Sequence, residues 1–380
     1  MTRRWHSIAT FVLVTIVFSY STGPALGQSS SYSFVTVDIP TPDGQFGFTT
    51  LEDINAKGEI AGAFTNSIVG PFGYVLDKKF RPTEIRCSKD VLSTAPQSIN
   101  NQGEITGFAS VIKERIPIPF PPFEILITKI SGFFLDKKGK CTILDFPEAT
   151  LTEATGVNER GQVVGDYRDA AGRFHGFIWD DGQFVTFDVP FPDAITTAPV
   201  AINNAGEIVG FYFDNNITEE FPNGHIHVFL YDNGIFTVLR DFPDSEFTNV
   251  TDINDRGQIA GIYALDRVNG PLHGFLLEDG IFSRVDVPFP GVMFTDVRGI
   301  NNRGQVVGRY LESNPGDPAN PFVNHGFIAT PTGSSNLVAL SAEETNELPK
   351  GQIMDEKIWR LSIRSVKNRW LALSLLGDGL

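Results

Sequence analysis

The sequence is poor in the residues that most chemistry-specific motifs require. Its 380 residues include 2 cysteines, 3 methionines and 6 histidines. It has no Gly-x-Ser-x-Gly nucleophile elbow, no phosphate-binding Gly-x-x-x-x-Gly-Lys loop and no Cys-x-x-Cys pair. We therefore assign no catalytic residue, no cofactor-binding residue and no metal ligand from the sequence, and it implies no cofactor.

Long hydrophobic runs are also scarce. The N-terminal stretch 8–20 holds 13 apolar or uncharged residues, fewer than the about 20 that a membrane-spanning helix needs. It follows Arg3 and Arg4 and precedes the small-residue site Ala25-Leu26-Gly27, which is the pattern of a secretory signal. The sequence predicts a signal peptide over residues 1–27, export to the periplasm or medium, and no transmembrane segment after cleavage; an uncleaved anchor is the alternative.

Positive charge is in deficit. The chain carries 45 acidic and 30 basic residues, a net charge of −15, which disfavours nucleic acid and anionic lipid as partners. We expect a monomer with an unknown extracellular ligand or protein partner. In an exported chain, Cys87 and Cys141 either form a disulfide or remain two free thiols, and the sequence leaves both open.

One phrase recurs six times along the chain: Ile/Val-Asn-x-x-Gly-Glu/Gln-hydrophobic-x-Gly. The copies occupy residues 54–62, 99–107, 157–165, 202–210, 253–261 and 300–308. Their asparagines are 45, 58, 45, 51 and 47 residues apart, a period that fits one four-stranded propeller blade. The sequence predicts an all-β, six-bladed β-propeller over residues 28–340, and a separate extension over 341–380.

The third copy illustrates one predicted blade. A strand before Asn158 is followed by an Asn-x-x-Gly turn, a second strand, His175-Gly176-Phe177 in a third strand, and a fourth strand that ends in Asp188-Val189-Pro190. The last copy lacks the Asp-x-Pro ending, but Asp38-Ile39-Pro40 carries it at the start of the mature chain. We predict that this N-terminal strand completes the last blade and closes the ring; residues 336–340 are the alternative fourth strand.

These phrases resemble the HAF repeat, a family of exported bacterial repeats named for a His-Ala-Phe signature that here reads mostly His-Gly-Phe. The resemblance covers residues 32–331 and implies an extracytoplasmic, propeller-like protein. It brings no reaction, cofactor or catalytic residue. Phe72 and Ser131 replace the histidine in two blades, so the histidine is not indispensable to a blade.

Four histidines recur at this one repeat position, which indicates a role in blade packing. They are His175, His227, His273 and His325. His225 lies outside the pattern and forms His-Ile-His with His227, which places both rings on one face of a strand. Such a pair can bind zinc or copper, but the sequence marks no third ligand, so we predict no metal site.

Loop length separates the two faces of the predicted ring. The connections opposite the Asn-x-x-Gly turns vary widely, and the longest predicted loop, residues 110–129, holds Ile-Pro-Ile-Pro-Phe-Pro-Pro-Phe. A rigid scaffold with variable loops on one side is the usual layout of a binding surface; unselected variation in loop length is the alternative. The proline-aromatic run is either a semi-rigid finger, a ligand for a partner, or a segment that only pads the blade, and the sequence leaves these open.

The sequence favours an extracytoplasmic binding or interaction module. A propeller enzyme, a hydrolase or lyase acting on extracellular carbohydrate or peptide, and a structural envelope protein are the alternatives. A non-repeating cluster of buried acids with perturbed pKa values at the channel would favour the enzyme. In the extension, Lys357, Arg360, Arg364 and Lys367 fall on one helical face, which suggests an amphipathic helix or a disordered tail.

Overall fold

Six antiparallel sheets are arranged as the blades of a ring around a central channel. The computed structural model describes residues 14–15, 32–39, 48–65, 72–117, 124–218, 221, 223–316 and 321–332. Within these ranges there is no helix. The prediction of an all-β, six-bladed propeller is confirmed. The C-terminal extension and most of the predicted signal peptide lie outside the described residues.

Each blade has four strands, counted here from the channel outwards. Blade 1 contains Phe48–Ile54, Ile60–Thr65, Phe72–Leu76 and Pro82–Glu84. Blade 2 contains Val91–Ile99, Ile105–Pro117, Glu124–Leu135 and Cys141–Leu144. Blade 3 contains Leu151–Val157, Val163–Arg168, Phe174–Asp180 and Gln183–Phe187.

The remaining three blades follow the same order. Blade 4 contains Ala198–Ile202, Ile208–Phe213, Ile226–Asp232 and Ile235–Val238. Blade 5 contains Phe247–Ile253, Ile259–Ala264, His273–Glu278 and Ile281–Arg284. Blade 6 contains Val292–Ile300, Val306–Ser313 and Phe322–Pro331, with Tyr32–Val37 paired to the last of these.

The strand Tyr32–Val37 makes the contacts that fourth strands make elsewhere. Its register places Phe34 opposite Ala329 and Val37 opposite Gly326. A two-residue strand, Val14–Thr15, pairs along its outer edge and lies within the predicted signal peptide. That the ring depends on Tyr32–Val37 for closure stays a prediction, because pairing alone does not measure how much stability the strand supplies.

The repeat phrase folds as a turn because its asparagine and glycine supply what the backbone needs. In blade 3 the Oδ1 atom of Asn158 accepts hydrogen bonds from the backbone N–H groups of Arg160 and Gln162. Gly161 has φ of 75°, a left-handed conformation that disfavours residues with a Cβ atom. The same bonds and positive φ recur in all six turns.

The second glycine of the phrase allows an irregularity in the innermost strand. The register of blade 3 shifts between Ala154 and Gly156, which is a β-bulge. A Cβ atom on Gly165 would lie 2.0 Å from the carbonyl oxygen of Glu153 and 2.9 Å from the ring of Phe177. Only glycine therefore fits between the bulge and the aromatic ring of the third strand.

The hydrophobic core lies in layers between neighbouring blades. One fully buried aromatic side chain stands on the third strand of every blade, and together they are Tyr74, Phe133, Phe177, Phe229, Phe275 and Phe327. The core between blades 5 and 6 includes Val285, Val297 and Phe327. Each blade thus buries its faces against two neighbours, as a ring requires.

Blade 2 differs from its predicted form in one loop, and it contains one of the two cysteines whose pairing the sequence left open. The predicted loop 110–129 was wrong, because the second and third strands continue far beyond the rest of the blade as a hairpin, with Ile116 opposite Ile125. The β-branched residues of this segment favour strand over loop. Cys87, which follows blade 1, forms a disulfide with Cys141 at the start of the fourth strand of blade 2, with Cα atoms 5.0 Å apart.

Candidate binding face and central channel

The two ends of the ring differ in construction. One end, the turn face, carries the six Asn-x-x-Gly turns and the tight hairpins to the fourth strands. The other end, the loop face, carries the connections between second and third strands and between blades, as the sequence predicted. Each face is a separate candidate for a functional surface.

A closed ring of hydrogen bonds surrounds the channel at the turn face. The Nδ2 atom of each repeat asparagine donates to the backbone carbonyl of the repeat asparagine in the next blade, over 2.9–3.3 Å. The order is Asn55, Asn100, Asn158, Asn203, Asn254, Asn301 and back to Asn55. Nδ2 also donates to the Glu or Gln four residues on.

A second ring of contacts runs beside the first and is incomplete. In five of the six blades, the backbone N–H after the repeat asparagine donates to the side chain of the equivalent residue in the next blade, over 2.6–2.8 Å. The acceptors are Asn101, Glu159, Asn204, Asp255 and Asn302. The sixth acceptor would come from Ala56, whose methyl side chain cannot accept, so the ring is open between blades 6 and 1.

The rings enclose a cavity of about 70 Å³ at this end of the channel. The residues that line it include Asp53, Asp252, Glu159 and Asp255. The cavity is polar and large enough for several water molecules or a small polar ligand. Within the described ranges, no group of three or more His, Cys, Asp or Glu residues is placed to hold a metal ion.

Asp53 and Asp252 have perturbed acidities. Burial raises the pKa of Asp53 to about 6, against the lowering effect of hydrogen bonds from Ile99, Ser98 and Ile54. Burial, and then the charge of Asp53, raise the pKa of Asp252 well above its usual value. Sequence reasoning missed this pair, because 199 residues separate its members and plentiful carboxylates gave no means to single them out.

The four repeat histidines lie at the loop face, in a packing arrangement. In blades 3, 5 and 6 the Nδ1 atom contacts an aspartate after the fourth strand: His175 with Asp188, His273 with Asp286 and His325 with Asp38, at 2.8–2.9 Å. A tyrosine of the second strand stacks on each of the four rings. Burial alone would raise the pKa of Asp286, but the bond to His273 and nearby positive charge outweigh it and lower that pKa.

Blade 4 departs from this arrangement. The Nε2 atom of His227 lies 3.1 Å from Asp214 Oδ2, and the Nδ1 atom of His225 lies 3.6 Å from Asp214 Oδ1. The carboxylate thus stands between the two rings and engages each through a different oxygen. The two imidazoles of the His-Ile-His pair therefore share one carboxylate.

Buried threonines join neighbouring blades at the loop face and were missed from the sequence. Each accepts a backbone N–H from the segment that follows the fourth strand of the preceding blade. The donor–acceptor pairs are Ile39–Thr49, Phe146–Thr152, Val189–Thr197, Phe242–Thr248 and Val287–Thr295. A Thr about six residues before each repeat asparagine was the available signal.

Exposed apolar side chains are concentrated at the loop face. Nine of the large apolar residues exposed among the described ranges lie there: Phe48, Leu92, Ile116, Ile125, Leu126, Ile127, Ile195, Ile217 and Val268. The other four, Val185, Ile235, Val238 and Ile281, lie on fourth strands. None lies on an Asn-x-x-Gly turn, so the two faces differ in hydrophobicity as well as in loop length.

The blade 2 hairpin carries the densest group of these residues. We name residues 112–117 and 124–129 the arm. Ile125 and Ile127 are 49% and 45% exposed, although β-branched side chains normally face a core. At the base of the arm, Lys113 and Lys129 both contact Asp145, at 2.8 and 3.1 Å. The sequence predicted a loop here and not paired strands, and most of the proline-rich run, residues 118–123, lies outside the described residues.

The chain was compared with protein families and with known structures. No family model matches it, and no curated protein sequence matches it. It is similar to a streptogramin B lyase, with 13% identity over 78% of this chain and 87% of the lyase and a TM-score of 0.40. It is also similar to AofleA from Arthrobotrys oligospora, with 12% identity over 74% and 83% of the two chains and a TM-score of 0.44.

A third similar structure is an acylaminoacyl peptidase from Pyrococcus horikoshii, with 14% identity, a TM-score of 0.44 and coverage of 74% of this chain and 45% of the peptidase. This chain therefore matches less than half of the peptidase. These similarities are too remote to transfer a substrate or a reaction. In the described part of the chain, no helix has the length and hydropathy needed to cross a membrane.

Proposed function

We propose that this protein is an exported binding module whose ligand surface is the loop face. The observation that carries the proposal is the concentration of exposed apolar side chains on that face, above all on the arm. Contiguous exposed apolar surface is costly in water and commonly marks an interaction site. The loops there vary in length, whereas the turn face repeats one hydrogen-bonded turn six times.

Two observations support export. The N-terminal sequence has the three regions of a secretory signal. The disulfide between Cys87 and Cys141 suits an oxidising compartment, because disulfides rarely persist in a reducing cytosol. If the signal is cleaved after residue 27, sequencing of exported protein will find Gln28 at the N-terminus, and Met1 retained in a membrane fraction would contradict export as a soluble chain.

The binding surface is tested with the mature protein on glycan and peptide arrays. A variant with Ile125→Ser, Leu126→Ser and Ile127→Ser removes the apolar group of the arm. The matched control, Val185→Ser with Ile235→Ser and Ile281→Ser, removes exposed apolar residues from fourth strands instead. We expect the arm variant to lose at least tenfold in affinity for any ligand found, while the control binds like the unmodified protein. Equal binding by all three proteins would refute the arm as the binding site.

A propeller enzyme is the second candidate, and one observation favours it. Asp53 and Asp252 are a non-repeating pair of channel acids with raised pKa values, a common property of catalytic carboxyl groups. The pair lies at the turn face, on the side of the ring opposite the loop face. Turnover of an extracellular glycan or peptide that Asp252→Asn abolishes in a folded protein would favour a hydrolase or lyase over a binding module.

A further inference from the structure

Blade 6 has an aspartate of a neighbouring blade on each side of its innermost strand. Asp252 of blade 5 and Asp53 of blade 1 each stand two residues before their repeat asparagine. The equivalent residues of the other four blades are Ser98, Gly156, Ala201 and Gly299. The paired carboxylates therefore belong to this part of the ring and are not a property of the repeat.

Both carboxylates meet the same short segment of blade 6. Asp252 Oδ2 accepts the backbone N–H of Ile300 at 2.7 Å. On the other side, a Cβ atom on Gly299 would lie 2.7 Å from the Cα atom and 2.9 Å from the Oδ1 atom of Asp53. Glycine at position 299 thus leaves the space into which Asp53 fits, and both aspartates are among the residues that line the cavity.

Each carboxylate also ties one blade to the next. Asp252 joins blade 5 to blade 6 through Ile300, and Asp53 joins blade 1 to blade 2 through the N–H of Ile99 and the hydroxyl of Ser98, at 2.8 and 2.9 Å. A carboxylic acid can keep these contacts through its carbonyl oxygen after it gains a proton. The contacts alone therefore do not require both groups to be ionised.

The surrounding charges are mainly negative. Glu52 stands beside Asp53, while Asp255 and Glu159 line the cavity. The nearby cation, Arg298 of blade 6, contacts Asp296 at 2.8 Å and Glu52 at 3.6 Å. Two like charges that face each other across a partly buried segment repel, which favours a state in which one of the groups is protonated.

We propose that Asp252 and Asp53 form a pH-dependent latch on blade 6, closed while the pair holds a proton and loosened when both carboxylates are ionised. Repulsion then acts across Gly299–Ile300 and weakens the contact between Ile300 and Asp252. The latch lies in the blade where both ends of the folded chain meet, so its release loosens the ring where the fewest covalent connections hold it.

The direction of the pH effect follows from the raised pKa values. A group with a raised pKa in the folded state binds its proton more tightly there, so its contribution to stability is complete below about pH 4. For Asp53 it is lost as the pH rises through about 6, and for Asp252 it is lost as the pH rises through a pKa that lies well above the usual value for aspartate. A shift of about two pKa units corresponds to about 100-fold in the folding equilibrium.

Hydrogen exchange of the full mature protein at pH 5 and pH 8, corrected for the intrinsic pH dependence of exchange, tests the latch. We expect peptides covering residues 292–301 to lose at least tenfold in protection between pH 5 and pH 8, relative to peptides covering residues 151–157 of blade 3. In Asp252→Asn, which keeps an acceptor oxygen without the charge, this difference between blades disappears.

Two further variants complete the test. Asp53→Asn removes the other charge and should act like Asp252→Asn, so the proposal stays testable if one of them fails to fold. Asp279→Asn removes an exposed charge from a blade 5 hairpin turn and should retain the unmodified pH response. Equal loss of protection in both blades, or an unchanged pH response in either aspartate variant of the pair, would overturn the proposal. Neither outcome bears on binding at the loop face.

Discussion

The side chain of each repeat asparagine forms hydrogen bonds with backbone groups of two neighbouring blades. Its oxygen accepts two N–H groups of its own turn, and its nitrogen donates to the next blade, as when Asn203 donates to the carbonyl of Asn254 at 3.1 Å. Aspartate would lack the donor. This double role explains why the same residue recurs in all six blades, whereas the two residues that follow it vary.

The open position in the second ring gives a prediction of increased stability. Ala56→Asn supplies the missing acceptor for the N–H of Asn302, and one such bond contributes about 0.5–1.5 kcal/mol. We expect the free energy of unfolding, measured by urea denaturation, to rise by about that amount. Ala205→Asn, in a turn position that faces solvent, is the matched control and should change it by less than about 0.5 kcal/mol. If Ala56→Asn raises the free energy of unfolding no more than Ala205→Asn does, the missing hydrogen bond does not reduce the stability of the protein.

Local residue roles could be predicted from the sequence, and contacts between blades could not. Asn158 and Gly161 were identified as turn residues because their partners lie within four positions. The bond from Asn301 to Asn55 joins residues 246 positions apart. The pairing of Asp53 with Asp252 likewise depends on the closure of the ring, which no local pattern specifies.

At the scale of the element, the arm differs from every other strand pair. Residues 113–117 and 124–128 are exposed on both faces of the arm, and a two-stranded hairpin of this kind is only marginally stable in water. Ion pairs at its base, between Lys113 or Lys129 and Asp145, join it to the body of blade 2. The proline-rich sequence suggested a loop, whereas the alternating β-branched residues Ile125 and Ile127 favour strand.

The disulfide gives a prediction for the junction between blades 1 and 2. It links residues 54 positions apart, and closing a loop of this length typically stabilises a protein by about 2–4 kcal/mol. We expect Cys87→Ser with Cys141→Ser to lower the free energy of unfolding by that amount in urea denaturation. Reduction of the unmodified protein should reproduce the loss and should leave the double variant unchanged. An identical urea midpoint for oxidised, reduced and substituted protein would contradict a stabilising bridge.

At the scale of the whole molecule, the repeat period was sufficient to predict the architecture. Six units of about 50 residues, each with strand and turn signals, fit a ring of six blades. The function could not be predicted in the same way, because the surfaces that differ between blades contain no repeated sequence pattern. The arm, the acids at the channel and the loops of blade 4 each occur once, where periodicity gives no information.

The two ends of the folded chain meet in blade 6, where noncovalent contacts join them. Blade 6 joins Phe322–Pro331 to Tyr32–Val37 through six residue pairs. Asp38 contacts His325 at 2.8 Å, and the N–H of Ile39 donates to Thr49 at 3.1 Å. The same contacts follow the fourth strands of blades 3 and 5, as His175 with Asp188 and Val287 with Thr295 show, which is why we predict that the N-terminal segment completes the last blade.

Closure of the ring by the N-terminal strand is tested most directly by deletion. Removing residues 28–40 from the mature protein should expose the edge of Phe322–Pro331 and lower the thermal midpoint of the whole domain. Each lost backbone hydrogen bond costs about 0.5–1.5 kcal/mol, against a total stability of about 5–15 kcal/mol for an ordinary domain. Removing residues 345–380, outside the repeat, should have far less effect. A protein that lacks 28–40 and melts like the full mature chain would contradict this account and indicate closure by residues 336–340.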